Sequence, residues 1–136
     1  MKKQLILKNE VSQILLLEEF VESIGQDLSL EPELVMNLNL VLEEAVSNVI
    51  MYAYPANVSH NIIIDAQKID DSLIFIIKDT GVEFDPTKVK EADISLSAEE
   101  RSIGGLGIFL ISKIMDTIEY QRIEDENILT LTKKLN

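Results

Sequence analysis

The sequence predicts an α+β fold: a two-layer α/β sandwich whose mixed, mostly antiparallel sheet carries about three helices on one face. Three observations lead there. Long stretches repeat their apolar residues at three and four, and two pairs of β-branched and aromatic runs are each joined by a short acidic turn. The element order reads β-α-α-β-β-α-β-β. Two local hairpins in that order make antiparallel pairing dominate, and each helix needs the sheet to cover its apolar stripe.

The first element, "KQLILKN" (3–9), alternates weakly and opens the chain as a short strand. "VSQILLLEEFVESIGQDL" (11–28) is an amphipathic helix, and Gly25 marks its end. Pro32 stands in the first turn of a second helix, where its missing N–H is no loss. That helix runs from about 31 to 54 and stops at Pro55. "NIIIDAQ" (61–67) and "SLIFIIKD" (72–79) form a hairpin across "KIDD". From 80 to 102 the chain is polar and charged, contains Pro86 and shows no sustained period, so it reads as a mobile loop. A glycine cluster opens a third helix at about 105–115, and "TIEYQRI" and "NILTLTKKL" close the chain as a second hairpin across "EDEN". With no repeat or linker composition, residues 1–136 read as one domain.

At 136 residues and 46% hydrophobic side chains, the chain can bury one core. Its 24 acidic and 12 basic residues give a net charge of -12. That balance repels a phosphate backbone, which argues against nucleic acid and suits a protein partner with a basic face. The absence of cysteine excludes disulfides, thiolate nucleophiles and the usual structural zinc sites. His60 is the single histidine, and with no partner placed near it in the sequence it reads as a bystander. The apolar stretch at the start is too short for a signal peptide, and no later run approaches membrane-spanning length, so the expectation is a soluble, cytoplasmic protein without a membrane partner.

Three short constellations carry chemistry. On the second helix, Glu44 and Asn48 are four apart and share a face, which Tyr52 continues. In isolation such a pair is ordinarily the solvated face of an amphipathic helix. "IIKDTGVEFDP" (76–86) runs an apolar strand into Asp79 and Gly81. A carboxylate there can accept a hydrogen bond from an exocyclic amine, and a glycine lets a planar ring approach the backbone. The ordinary alternative is a turn after a strand. In "IGGLGIFLISKIMD" (103–116), Gly104, Gly105 and Gly107 leave amide groups unobstructed where a helix start adds partial positive charge. This suits phosphate oxygens, against the alternative of a tight turn or close helix packing.

In this order "EEAVSN", "DTGVEFDP" and "GGLGIFLI" resemble the nucleotide-binding boxes of the GHKL (Bergerat-fold) ATPase superfamily, which includes gyrase and the histidine kinases. The short chain, the Asp-x-Gly-x-x-Phe-Asp-Pro form and the terminal strand pair resemble its branch of bacterial anti-sigma factor serine/threonine kinases. The resemblance implies that Glu44 is the general base and that Asn48 holds a magnesium ion bridging the phosphates of ATP. It implies that Asp79 reads the adenine amino group with Gly81 beside the ring. Gly104, Gly105, Leu106 and Gly107 would surround the phosphates, and Arg101 would meet the terminal phosphate or the partner. Tyr52 departs from the family, standing where a histidine is common, and so does Glu83, which stands where the broader superfamily has a second glycine.

The function implied is an ATP- and magnesium-dependent serine/threonine protein kinase acting as an anti-sigma regulatory factor. Its partners would be an anti-sigma antagonist of the STAS type, a sigma factor and a second copy of the chain. The alternative is an ATP-binding regulatory module that sequesters a protein partner without phosphate transfer. A detached histidine-kinase catalytic domain fits less well, since no phosphoacceptor helix is present and the loop before the third helix is short.

Overall fold

In the computed structural model, which describes residues 1–53, 59–88 and 105–135, five strands form one sheet. These are β1 (Lys2–Lys8), β2 (Asn61–Ile69), β3 (Ser72–Asp79), β4 (Thr117–Ile123) and β5 (Glu126–Lys134), in the order β1-β2-β3-β5-β4. The fold is α+β as expected, and the mostly antiparallel pairing the sequence predicts is antiparallel throughout. The helix after β3 carries the chain to the edge strand β4, and the tight β4–β5 hairpin returns β5 between β3 and β4, running against both. Both hairpins have two-residue loops with backbone in the left-handed region, at Asp70 (φ 53°) in one and at Glu124 and Asp125 (φ 49° and 64°) in the other. Such turns match the twist of the paired strands, and aspartate tolerates them better than most residues.

Side chains on alternate positions fill one face of the sheet. The rows Ile64–Ile77–Leu129 and Ala66–Phe75–Leu131 run straight across β2, β3 and β5, and all six residues are buried. Three helices cover that face: α1 (Leu15–Leu28), entered through a 3-10 turn at Val11–Ile14, α2 (Pro32–Tyr52) and α3 (Gly105–Ile114). α1 contributes Leu17, Phe20, Val21 and Ile24, α2 contributes Leu38, Val41, Leu42, Ala45, Val46 and Val49, and α3 contributes Ile108 and Ile111.

Two expectations need correction. Gly25 does not end α1. The helix continues to Leu28 and closes at Ser29 in the left-handed conformation (φ 54°), with the Leu30 amide donating back to the Gly25 carbonyl at 2.9 Å. Gly25 is needed inside the helix because α2 passes close by: a Cβ there would come 2.6 Å from Val35 Cγ2. The second correction concerns length. α2 spans 21 residues with a mean hydropathy of 1.3 over its most apolar window, long and apolar enough by composition to cross a membrane. In the fold it is a core helix, and its apolar residues include those that face the sheet.

Candidate functional site

On the face of β3 turned toward the helices, Leu73, Phe75 and Ile77 are followed at the strand's last position by Asp79, which is 4% exposed. The register that buries the hydrophobic residues buries the carboxylate too. Directly across on β5 lies Asn127, also 4% exposed, and across from that on β4 lies Arg122. Asn127 Nδ2 donates to Asp79 Oδ1 (2.9 Å) and to the Val82 carbonyl (2.8 Å). Its Oδ1 accepts from the Phe84 amide, the Tyr120 hydroxyl and Arg122 Nη1. Asp79 Oδ1 also accepts from the Gly81 amide (2.9 Å), and Arg122 Nη1 donates to the Gly81 carbonyl (2.7 Å). Burial pushes the Asp79 carboxyl above its ordinary value, while the Asn127 and Gly81 hydrogen bonds and the Arg122 guanidinium pull it down.

Gly81 has a packing role in this network. A Cβ there would collide with the carbonyl of Ala53, the residue that caps α2, and the Val82 amide donates to that same carbonyl at 2.8 Å. The turn after β3 is thus seated on the end of α2, which ties the two candidate segments together.

α2 brings Asn48 to the same place. Asn48 and Asp79 line one cavity with Phe84, Tyr120, Asn127 and Leu129. Asn48 is 5% exposed, and its side-chain amide makes no hydrogen bond to protein among the described residues but keeps some contact with solvent; the wholly buried side-chain oxygen without a partner there is Asn39 Oδ1. One turn before Asn48, Glu44 reaches α3, since a Cβ on Gly107 would come 2.6 Å from Glu44 Oε2. Its negative charge therefore lies against the first turn of α3, where the helix dipole favours it. Glu44, Asn48, Asp79 and Gly107 are connected around one locality, and Gly105 begins the helix that carries Gly107. Arg101 and Gly104 lie outside the described residues, as does the side chain of Leu106.

The cavity holds only ≈ 20 Å³, about one water molecule. Beside it Tyr52 and Phe84 stack with ring centroids 5.1 Å apart and planes at 23°. Tyr52, the departure noted in the sequence, thus packs on the segment that follows Asp79. A larger hollow of ≈ 690 Å³ between α1 and α2 is lined by Glu18, Glu22, Gly25, Met36 and Asn39 among others, and none of its carboxylates is buried. No cluster of three or more His, Asp or Glu side chains able to hold a metal is assembled among the described residues.

Sequence reasoning missed Asn127, Tyr120 and Arg122. A signal existed for the first: Asn127, Leu129 and Leu131 alternate on one face, so the polar residue is the terminal member of an inward-facing series.

Residues 7–133 match the family model of the histidine kinase-like ATPase domain. The chain belongs to that family. It is similar to the serine-protein kinase RsbW of Listeria monocytogenes serovar 1/2a, 30% identical over 108 residues that make up 76% of this chain and 68% of that protein. It is also similar to the serine-protein kinase RsbW of Bacillus cereus strain AH187, 32% identical over 104 residues, 74% of this chain and 63% of the relative. Among solved structures it resembles the histidine kinase domain of the blue-light activated histidine kinase EL346 from Erythrobacter litoralis. The TM-score is 0.57 at 13% identity, over 90% of this chain and 60% of that one. That likeness shows the fold alone. Membership of the family accounts for the sandwich with its helices on one face, and the relatives by sequence place the chain beside serine-protein kinases.

Proposed function

We propose that the protein is an ATP- and magnesium-dependent serine/threonine protein kinase that phosphorylates an anti-sigma antagonist and binds a sigma factor as an anti-sigma regulator in the cytoplasm. One observation carries the reading. Asn48 shares a cavity with the buried carboxylate of Asp79 and stands one helical turn from Glu44, whose carboxylate lies against the first turn of α3. The names of the RsbW relatives support serine as the acceptor.

Asp79 would accept a hydrogen bond from the adenine amino group, with the Asn127 network holding it in place. Asn48 Oδ1 would hold magnesium against the phosphates, and its lack of a protein partner fits an oxygen ligand reserved for a hard cation. When bound, magnesium neutralises phosphate charge and aligns the terminal phosphoryl group. The amides at the start of α3, beside Gly105 and Gly107, would face the phosphate oxygens. Glu44 would accept the proton of the acceptor hydroxyl while that oxygen bonds to the γ-phosphorus and the bond to the β–γ bridging oxygen breaks, releasing ADP. Because Glu44 Oε2 lies close against the first turn of α3, its flexible side chain must give way to the phosphates it then serves.

The test incubates the purified protein with γ-labelled ATP, magnesium and a purified anti-sigma antagonist of the STAS type. Label transferred to a serine or threonine of the antagonist supports the kinase. ATP binding with no label on the antagonist supports instead a regulatory module that sequesters its partner.

A further inference from the structure

Asn127 stands out among the groups the sequence did not single out. It is buried, it uses both amide protons, and its oxygen accepts three hydrogen bonds, so five contacts converge on one side chain. Those contacts join the end of β3, the turn at Val82 and Phe84, and the edge strand β4. A hub so fully used holds one geometry, because rotating the amide would leave several buried groups unpaired at once.

The consequence falls on Asp79. Both hydrogen bonds it accepts, from Gly81 and from Asn127, converge on Oδ1. Among the described residues Oδ2 accepts none. A carboxylate pinned through one oxygen can offer only the other to a ligand. Adenine presents an amine donor at its six position, whereas guanine presents a carbonyl oxygen there that a carboxylate oxygen repels.

We propose that Asn127 is the positioning residue that fixes which oxygen of Asp79 meets the base, and thereby sets the preference for adenine over guanine nucleotides. This rests on the nucleotide reading of the site. Without Asn127, Oδ1 would lose one of its two anchors, Arg122 would lose the amide oxygen it donates to, and the carboxyl would be free to turn. Selectivity would fall before affinity for the phosphates, which lie on other elements.

The test measures dissociation constants for Mg-ATP and Mg-GTP by calorimetry on the wild type, Asn127→Leu and Asn127→Asp, with melting curves alongside. Asn127→Leu should lower the ATP-over-GTP ratio by about tenfold or more. Asn127→Asp sets two carboxyl groups together, favouring a shared proton that can be donated to the guanine oxygen, so it should also lower the ratio. A purely structural role would weaken both nucleotides alike, and an unchanged ratio in either folded variant would overturn the inference. If neither variant folds, the side-chain amide resonance of Asn127 in the wild type decides: it should shift on titration with ADP, and a resonance that stays fixed would overturn the inference. Wild type that binds no ATP would defeat the nucleotide reading and this inference with it; wild type that prefers ATP beside a variant with an unaltered ratio would defeat the inference alone.

Discussion

The two ends of strand β3 obey one geometric rule and do different work. At one end Leu73, Phe75 and Ile77 point under the helices and are buried. One step further along the same alternation, Asp79 points the same way and is buried as well. Burying a hydrophobic ring stabilises the fold, whereas burying a carboxylate costs free energy that hydrogen bonds only partly offset. The apolar end therefore explains why the protein folds. The polar end, with Asn127, Tyr120 and Arg122 gathered around Asp79 and Asn48 lining the same cavity, adds no such stability and is the part the proposed nucleotide site would use.

That contrast can be broken by mutation. Phe75→Ala should destabilise the protein by about 3–5 kcal/mol, read by chemical denaturation, because the ring lies wholly inside the core. A loss under about 1 kcal/mol would mean that the middle of β3 is not the packed centre. On the polar side, Glu44→Gln should leave ATP binding in place and slow phosphate transfer by about 10²–10⁴-fold, with little change in melting temperature. Transfer at the wild-type rate would remove Glu44 as the base.

Asp79→Asn sharpens the comparison with the smallest effect on stability. The Asp79 carboxyl is raised from its ordinary 3.8 in the folded protein, so the folded state takes up its proton more readily than the unfolded chain. Its favourable contribution is then complete below 3.8 and is lost as the pH rises through the raised value. Replacing it with asparagine removes that loss while keeping an oxygen for the Gly81 amide. The variant should be at least as stable as wild type at neutral pH, with a flatter stability profile above 3.8, and its ATP-over-GTP preference should fall. A variant markedly less stable at neutral pH would show that Asp79 is a structural anchor.

Much of the apolar end was legible in the sequence because periodicity alone decides it. The order of elements, both hairpins and the starts of α2 and α3 follow from local pattern and turn chemistry. Gly25 was misread because a glycine near a helix end looks the same whether it stops the helix or admits a neighbour, and only the approach of Val35 distinguishes the two. The length of α2 likewise carries no sign of whether sheet or lipid covers it. At the polar end, Glu44, Asn48 and Asp79 were legible as motif residues, and the packing of Gly81 against the Ala53 carbonyl was not, because no local pattern shows that the end of α2 comes so close. Asn127 and Arg122 were hidden for a different reason. Their contacts to Asp79 and Gly81 span more than 40 positions of sequence, and strand register creates them, which no local window contains.

The nucleotide site is tested most directly by calorimetric titration of the wild type and Asn48→Ala with ATP in the presence of magnesium. Wild type should bind, and Asn48→Ala, still folded, should lose magnesium-dependent binding. Equal affinity in the two proteins, or a wild type that releases no heat at any ATP concentration and shows no shift in melting temperature, would contradict a site built from α2, the end of β3 and the start of α3.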